Sequence, residues 1–228
     1  MPIDDPLAGL RHQRTGCSVV RTLDDFLRVA AVRSMVYVGE QDCPFDEEFD
    51  GNDFCAMHIL GWVDNEPAAS LRIRFFADFA KVERLAVVER FRQSPIAFRI
   101  VRFALNIIAR KGYMQAYGHA RVGLEEFWAR FGAKPIGGEG AFAFSGQRYT
   151  EMRVELPRAA NAIRIGDDPL TIIRPEGEWD QAGVLERRIE RTDGWARHDP
   201  MAEPANWSAS TRDAWVSWAS GRGGEQSG

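Results

Sequence analysis

The sequence lacks several features that would assign it to familiar classes of protein. Its 228 residues include only three cysteines, Cys17, Cys43 and Cys55, an odd number without close pairing. We therefore expect no disulfide framework and a reducing compartment. No Cys-x-x-Cys or His-x-x-x-His spacing occurs among the three cysteines and four histidines. We accordingly expect no zinc or other metal site.

Long apolar runs are missing as well. No stretch approaches the roughly 20 apolar residues that span a bilayer, and residues 1–16 lack the apolar core of a secretory signal. We therefore expect a cytoplasmic protein without a membrane span. The chain is 45% hydrophobic and 27% charged, which is typical of a globular protein. Its length allows one buried core of about 150 residues with an additional segment.

Acidic residues are absent from one long stretch of a chain that is acidic as a whole. The net charge of −4 argues against nucleic acid as the main partner. Residues 91–124, however, contain neither Asp nor Glu. The cations in that stretch are Arg92, Arg99, Arg102, Arg110, Lys111 and Arg121. They create a local positive field.

The order of helix and strand patterns predicts the fold class. A capping box at residues 22–25 begins a helix at 22–38, and an acidic loop follows at 39–53. Two strands joined by a short turn predict an antiparallel hairpin. Its strands and the later elements are strand 55–63, strand 68–76, strand 81–87, helix 95–113, strand 113–120, helix 122–132 and strand 147–156. This order predicts an α+β fold in which helices flank a mixed, mostly antiparallel sheet with one parallel crossover.

The chain is expected to have three parts. Residues 1–19 form a loose N-terminal lead-in, residues 20–157 the main domain, and residues 158–228 an extension. The extension holds five of the seven tryptophans, Trp179, Trp195, Trp207, Trp215 and Trp218. Since disordered tails are poor in aromatic residues, we expect the extension to pack its tryptophans on the main domain or on a partner, with a frayed end at 221–228.

The junction at residues 81–97, KVERLAVVERFRQSPIA, is a strand-to-helix elbow without glycine. With the following helix and the segment LEEFWARFGAKPIG (124–137), it resembles the GNAT superfamily of acyltransferases, and the resemblance covers about residues 20–156. In that family an Arg/Gln-x-x-Gly-x-Gly/Ala loop holds the pyrophosphate of acetyl-CoA at a helix N-terminus. Here Arg92 takes the first position, Pro95 replaces the first glycine and Ala97 the second.

The resemblance implies an N-acyltransferase that moves an acyl group, acetyl by default, from acyl-CoA to a primary amine on a small molecule or peptide. The segments at 36–53 and 58–74 are also loosely similar to acyl-homoserine-lactone synthases and N-acyl amino acid synthases, which take acyl chains from acyl carrier protein. A carrier-protein-dependent synthase is therefore an alternative. A second alternative is a catalytically degenerate binding or regulatory module. Because the family often dimerises, a homodimer is an expectation.

The resemblance places the donor thioester along the third predicted strand and the elbow. The residues expected to contact the donor are Leu85, Ala86, Val87, Arg92, Gln93, Ser94, Ile96, Ala97, Arg121 and Trp128. Many relatives have a tyrosine at the position of Trp128 as general acid. An indole N–H donates a hydrogen bond but supplies no proton at neutral pH. Tyr117 or Tyr113 could compensate.

Proton transfer is expected from side chains near the thioester. Glu83 is the first candidate for the base, and a salt-bridged strand carboxylate is the alternative interpretation. His119, at the end of the fourth predicted strand, has a suitable pKa near 6.5 but could be a structural histidine.

The acceptor amine is expected at the acidic loop and the second hairpin strand. The resemblance places Glu40 and Asp42 where relatives recognise the amine. The alternative interpretation is that they belong to an acidic loop that only faces solvent. Arg72 and Arg74 alternate with apolar residues and so share one face of their strand. The resemblance places them in the acyl or acceptor site, whereas cross-strand pairing with acidic neighbours is the alternative.

Overall fold

The computed structural model describes residues 14–137, 142–144, 146–183, 185 and 186. The chain divides into two units, residues 1–186 and 187–228, and all of the described residues belong to the first. No helix within these described residues is long and apolar enough to cross a bilayer.

The described part of the chain contains eight strands and five α-helices. The strands are β1 (Thr15–Val19), β2 (Met57–Val63), β3 (Glu66–Phe75), β4 (Ala80–Val87), β5 (Gln115–Arg121), β6 (Ala133–Pro135), β7 (Phe142–Phe144) and β8 (Gln147–Glu155). The helices are α1 (Leu23–Arg33), α2 (Phe45–Glu48), α3 (Ile96–Arg110), α4 (Glu125–Ala129) and α5 (Pro169–Ile173). A π-helical segment, Ser34–Glu40, continues α1, and 3-10 turns lie at Asp53–Cys55 and Glu89–Phe91.

All eight strands form one sheet. The strand order is β1-β2-β3-β4-β5-β8-β6, and β7 pairs with β8. Strands β4 and β5 pair in parallel, and the other pairs are antiparallel. The predicted α+β fold with a mostly antiparallel sheet and one parallel crossover is confirmed.

The structure differs from the predicted elements at three strands. Residues 15–19, expected in a loose lead-in, form β1 on β2, and β6 and β7 pair with β8. All three strands are short, and their sequences show no clear apolar alternation. Their strand conformation therefore depends on pairing with β2 or β8. The predicted helix at 22–38 is observed as α1, but residues 34–38 belong to the π-helical segment, which continues to Glu40. The acidic loop contains α2, and its last residue begins the first 3-10 turn.

The larger core lies between the sheet and α3. The helix buries Ile96, Ile100, Val101, Ala104 and Ile108 against apolar side chains of β2, β3, β4, β5 and β8. Close packing at its first turn requires a glycine on β2. A Cβ atom at Gly61 would lie 3.0 Å from Ile96 Cδ1. The apolar face of α3 therefore fixes its N-terminus above the sheet, next to the end of β4.

The opposite face of the sheet carries α1 and the π-helical segment. Val32 and Val36 pack there on Ala86 of β4. The Tyr37 hydroxyl donates a hydrogen bond to the carbonyl oxygen of Leu85, at 2.7 Å. The π-helical segment is thus attached to the last residues of β4.

The segment after residue 157 packs on the C-terminal end of α3. Trp179 is buried against Val19 and Ile107, and Arg110 pairs with Asp180 at 2.9 Å. The Ile163 N–H also donates to the Arg110 carbonyl oxygen, at 2.8 Å. Trp179 thus packs on the main domain as expected. The other four tryptophans of the extension lie outside the described residues, and the boundary at residue 157 remains a prediction.

Replacing Ile100 by Ala should lower the free energy of unfolding by about 2–5 kcal/mol, because the side chain is fully buried and its loss leaves a cavity. Urea denaturation of the purified protein measures the change. Leu23→Ala, at a side chain that is 70% exposed in α1, is the matched control and should change stability by less than about 0.5 kcal/mol. Equal losses in both variants would contradict the proposed core.

Candidate active site

The pairing of β4 and β5 ends after three residue pairs. Ala80 pairs with Ala116, Lys81 with Tyr117 and Val82 with Gly118. At the last pair a Cβ atom on Gly118 would lie 3.0 Å from the Val82 carbonyl oxygen. Beyond it, residues 83–87 and 119–121 are not paired with each other. The two parallel strands therefore open into a cleft at the middle of the sheet.

A β-bulge lies in β4 where this cleft begins. Arg72 of β3 is opposite Glu83 and Ser70 is opposite Ala86, so two residues of β4 face one residue of β3. Arg84 has φ 54°, in the left-handed region that non-glycine residues rarely adopt. Leu85 then packs in the core on the α3 side. The bulge thereby turns the side chains of Glu83 and Arg84 to the side of α1.

On the α1 side of the sheet, three arginines alternate with three carboxylates in a closed ring. Arg33 ends α1, Arg72 lies on β3 and Arg84 on β4, whereas all three carboxylates belong to residues 48–53. The ring contacts are Arg33 Nη1–Asp53 Oδ1 2.6 Å, Arg72 Nη1–Asp53 Oδ1 2.8 Å, Arg72 Nη2–Asp50 Oδ2 2.7 Å, Arg84 Nη2–Asp50 Oδ2 3.2 Å, Arg84 Nε–Glu48 Oε2 3.1 Å and Arg33 Nε–Glu48 Oε1 2.5 Å. We call this set the arginine–carboxylate ring. It fixes the loop between the π-helical segment and β2 against the sheet.

At Asp50 and Asp53, burial and the hydrogen bonds from neighbouring groups have opposite effects on the pKa of the carboxyl group. Burial alone would raise the pKa of Asp53, but hydrogen bonds from Arg33 and Arg72 outweigh it and hold the pKa below its usual value. The pKa of Asp50 is likewise lowered, because the hydrogen bonds from Arg72 and from the Asn52 N–H exceed the effect of burial. Both carboxylates therefore stay ionised at neutral pH.

Arg72 has no exposed surface, and its guanidinium contacts Asp50, Asp53 and Glu83. The expectation that Arg72 contacts a substrate is therefore corrected. A guanidinium that is buried and bound to three carboxylates holds the site together instead of facing a ligand. The alternative interpretation, pairing with acidic neighbours, is the observed one.

Glu83 extends from the ring toward the cleft. Its Oε1 accepts from Arg72 Nε at 2.9 Å, and its Oε2 pairs with Lys81 Nζ at 2.7 Å. The side chain is 11% exposed. The carboxylate is thus held in one orientation at the opening of β4 and β5. Each of the two carboxylate oxygens is therefore paired with a cationic side chain.

Tyr117 and His119 lie on the other side of the cleft and face the same way as Glu83. The Tyr117 hydroxyl donates a hydrogen bond to Oε1 of Glu151 on β8 and lies 2.7 Å from His119 Nε2. Burial, and then the Lys81 ammonium, lower the pKa of His119. Burial, and then the hydrogen bond to Glu151, raise the pKa of Tyr117. These directions leave the imidazole neutral and the phenol protonated at neutral pH.

The elbow is ordered by its own hydrogen bonds. Strand β4 leads into the turn Glu89–Phe91, and α3 begins at Ile96 with Pro95 as its N-cap residue. The Ser94 hydroxyl donates to the Phe91 carbonyl oxygen at 2.7 Å and accepts the Ile96 N–H at 3.4 Å. Pro95 contributes no N–H. The predicted elbow is therefore present, but the Ser94 hydroxyl is bonded within it.

Several residues expected at the donor site have buried or partly buried side chains. Ile96 is fully buried under Gly61, and Leu85 and Val87 pack on the core of the α3 side. Their backbone groups are what they could offer to a ligand. Gln93 is exposed, and the N–H groups of Ala97 and Phe98 lie in the first turn of α3, where no intrahelical acceptor exists.

Glu40 and Arg92 meet, although the first was expected at the acceptor and the second at the donor. Arg92 Nη2 contacts Glu40 Oε2, and Arg92 Nε donates to the Val87 carbonyl oxygen at 3.2 Å. The side chain of Arg92 is 45% exposed and that of Glu40 is 31% exposed. Exposed ion pairs are worth about 0–1 kcal/mol, so a bound anion could displace Glu40 from Arg92.

A small apolar cavity of about 20 Å³ lies on the α3 side of β5, next to the last β4–β5 pairs. Its lining includes Val82, Tyr117, Gly118 and Trp128. Trp128 of α4 also packs its ring on Phe131. The cavity has room for about one water-sized group. Trp128 therefore lies close to the cleft.

The structure also places the other residues that were predicted for the donor and acceptor sites. Asp42 is exposed with φ 53°, and Arg121 is the exposed last residue of β5. The guanidinium carbon of Arg74 lies 5.1 Å from the ring centre of Phe76. Within the described ranges, no group of three or more His, Cys, Asp or Glu side chains is arranged to hold a metal ion.

Sequence reasoning missed Lys81, Arg84 and Glu151. Lys81 could have been found, because it lies two residues before Glu83 and so on the same face of β4. Arg84 could not have been found from the sequence, since the bulge that orients its side chain depends on the pairing of β4 with β3. Glu151 could not either, because only the register of β8 brings it beside Tyr117.

Asp53→Asn should lower the free energy of unfolding at pH 7 by about 3 kcal/mol, because Arg33 and Arg72 lose a buried charged partner. Urea denaturation measures the loss. Asp24→Asn, at an exposed carboxylate in the first turn of α1, is the control and should cost less than about 1 kcal/mol.

The stabilities of the wild-type protein and of Asp53→Asn, compared over a range of pH, test the pKa of Asp53. Its folded pKa lies below the unfolded value of about 3.9, so its stabilising effect is complete above that value and is lost as the pH falls through the folded pKa. The stability difference between the wild-type protein and Asp53→Asn should therefore decrease below about pH 4. A constant difference down to full acid unfolding would contradict the lowered pKa.

Comparison with known proteins supports the same fold. No family model matches the chain. A candidate acetyltransferase of Bacillus subtilis (strain 168) is 28% identical over 104 residues, which are 44% of this chain and 71% of that relative.

Two solved structures extend the comparison. An acyl-CoA N-acyltransferase from Pseudomonas aeruginosa has a TM-score of 0.55 and 22% identity, covering 62% of this chain and 99% of that one. FeeM, an N-acyl amino acid synthase from uncultured soil microbes, has a TM-score of 0.54 and 11% identity, covering 76% and 97%. The resemblance found in the sequence is thereby confirmed: the chain has the fold of the GNAT acyltransferases.

Proposed function

We propose that this protein is an N-acyltransferase that moves a short acyl group from acyl-CoA to a primary amine. The observation that carries the proposal is the convergence of three features at one opening of the sheet. The parallel pairing of β4 and β5 ends there, the N-terminus of α3 lies beside it, and Glu83 and His119 face it from opposite strands.

The elbow supports an anionic donor. The first turn of α3 presents N–H groups at the positive end of a 15-residue helix. Arg92 lies beside this turn, and its weak ion pair with Glu40 can be exchanged for a phosphate. Pro95 removes one N–H, so the arginine carries more of the binding than in a glycine-rich loop.

The apolar cavity beside the cleft supports a short acyl group. Its volume of about 20 Å³ fits a methyl group and leaves no room for a long chain in this conformation. Acetyl is therefore the acyl group that we propose.

The acceptor amine is assigned to the acidic side of the cleft. Glu40 and Asp42 lie at the end of the π-helical segment, which Tyr37 attaches to β4. An amine arrives mainly as an ammonium ion, which carboxylates bind well. Release of Glu40 from Arg92 would supply one such carboxylate.

Glu83 is the first candidate for the base that takes a proton from this ammonium. Arg72 and Lys81 hold its carboxylate at the cleft, so its position is fixed before any substrate binds. The neutral amine can then attack the thioester carbonyl carbon.

CoA binding tests the donor. Calorimetry with CoA and acetyl-CoA should show binding to the wild-type protein, and Arg92→Ala should weaken it by about 10- to 100-fold, the effect of losing a charge-assisted hydrogen bond to phosphate. Arg90→Ala is the matched control, because Arg90 is exposed at the same elbow but pairs with Glu66.

An equal loss in both variants would mean that general surface charge, and not Arg92, binds CoA. If the wild-type protein does not bind CoA, acyl-CoA is not the donor.

Glu83→Gln tests the base. Once a screen has found an acceptor amine, kcat should fall by about 100-fold or more, whereas the affinity for the donor should not change, because Gln keeps the shape and an acceptor for Arg72. Glu155→Gln, at an exposed carboxylate of β8, should leave kcat unchanged. Unchanged turnover in Glu83→Gln would remove Glu83 from the mechanism.

The coverage of FeeM favours a second candidate, an N-acyl amino acid or acyl-homoserine-lactone type of synthase that takes its acyl group from acyl carrier protein. Of the solved structures compared above, FeeM matches the larger share of the chain, and an elbow that lacks one N–H suits a donor with a single phosphate. Capture of acyl carrier protein by a protein that does not bind CoA would select this candidate. Binding of neither ligand would select a non-catalytic module.

A further inference from the structure

Three polar side chains form a hydrogen-bonded chain on the β5 side of the cleft. Glu151 of β8 lies opposite His119 of β5 in the strand register. The Tyr117 hydroxyl lies between them, in contact with Glu151 Oε1 and 2.7 Å from His119 Nε2. Lys81 and Glu83 of β4 are the other charged groups that act on the imidazole.

The number of protons decides the direction of these hydrogen bonds. A carboxylate has only acceptor atoms, and a tyrosine hydroxyl has a single proton. The proton of Tyr117 is therefore donated to Glu151. The contact between the hydroxyl oxygen and His119 is then a hydrogen bond only when Nε2 carries a proton and donates it.

We propose that Glu151, acting through Tyr117, holds the proton of His119 on Nε2, so that Nδ1 is the atom that accepts a proton from the amine nitrogen and later passes it to the leaving thiolate. The second half of this inference rests on the proposed acyltransferase function. His119 is then a catalytic residue, whereas Glu151 and Tyr117 are positioning residues.

The electrostatics of the site agree with a neutral imidazole. Burial and the Lys81 ammonium lower the pKa of His119, so one ring nitrogen carries a proton at neutral pH and the other does not. Burial and Glu151 raise the pKa of Tyr117, so the phenol keeps its proton. Tyr117 is therefore poorly suited to the role of general acid that its position suggested.

Amide formation needs such a shuttle. The ammonium gives its first proton to Glu83, and the amine forms a bond to the thioester carbonyl carbon. The resulting intermediate carries a positive nitrogen, which gives a second proton to His119 Nδ1. The C–S bond then breaks, its electron pair leaves with sulfur, and the imidazolium protonates the thiolate. Glu83 releases its proton to solvent, so one proton is released overall.

The sequence explains why His119 would take this role. Trp128 occupies the position of the tyrosine that protonates the thiolate in many relatives, and an indole N–H does not supply a proton at neutral pH. A histidine that first receives the proton from the amine needs no separate acid.

Nitrogen-15 NMR of the histidine-labelled protein at about pH 8 tests the tautomer without any substrate. The wild-type spectrum should show His119 with its proton on Nε2. In Glu151→Leu the Tyr117 hydroxyl loses its acceptor on residue 151, and its proton can turn to Nε2, so the proton of His119 should move to Nδ1. Glu155→Gln on the same strand should leave the tautomer unchanged.

Kinetics provide the second measurement. Glu151→Leu should lower kcat by about tenfold or more with an unchanged Kd for the donor, since the pathway for the second proton is altered. Tyr117→Phe, which removes the link, should lower kcat in the same way. Thermal unfolding of each variant shows whether the fold is retained.

A wild-type proton on Nδ1, or the same tautomer in Glu151→Leu, would overturn the inference. An altered tautomer with unchanged kcat would overturn the shuttle. Failure of the proposed function is recognised separately, because CoA binding decides it and the tautomer measurement needs neither donor nor acceptor.

Discussion

The arginine–carboxylate ring is the interaction on which the rest of the site depends. It joins the end of α1, the loop at 48–53, β3 and the bulge of β4 through three arginines and three carboxyl groups. Buried ion pairs contribute little net stability, because both charges lose their hydration. Their geometry is nevertheless demanding, and an incomplete ring leaves a buried charge without a partner. The ring therefore specifies one position of the loop more than it stabilises the fold.

The site itself arises where regular pairing stops. Strands β4 and β5 are held in parallel for three residue pairs and then separate, and the bulge at Arg84 reverses the side-chain alternation of β4 at the same level. As a result the α3 side of the cleft is apolar, whereas the α1 side carries Glu83, Tyr117 and His119. In the proposed reaction the apolar face accommodates the acyl group and the other face transfers protons, so that the two roles do not compete for the same surface.

The sequence predicted the elements that have a strong local pattern. The apolar periodicity of α3, the capping box of α1 and the hairpin turn were sufficient to predict the fold class, and the elbow with FWARFGA was sufficient to indicate the GNAT fold. What the sequence could not predict depends on pairing between distant segments. The resemblance placed Arg72 in the acyl or acceptor site, and alternation showed only that it shares a face with Arg74, not whether that face is covered. Asp50 and Asp53, which cover it, looked like ordinary residues of a solvated loop.

The elbow shows how a strand-to-helix junction that leads into a helix N-terminus can form without glycine. A glycine there would have many conformations in the unfolded chain, and folding would have to restrict them. Pro95 has a φ that is already fixed by its ring, and Ser94 is bonded to Phe91 through both its N–H and its hydroxyl. The junction thus gives up one N–H group and in return loses less conformational entropy on folding. A ligand that binds here meets N–H groups whose orientation is set beforehand, so that its affinity reflects the rigidity of the junction as well as the number of its donors.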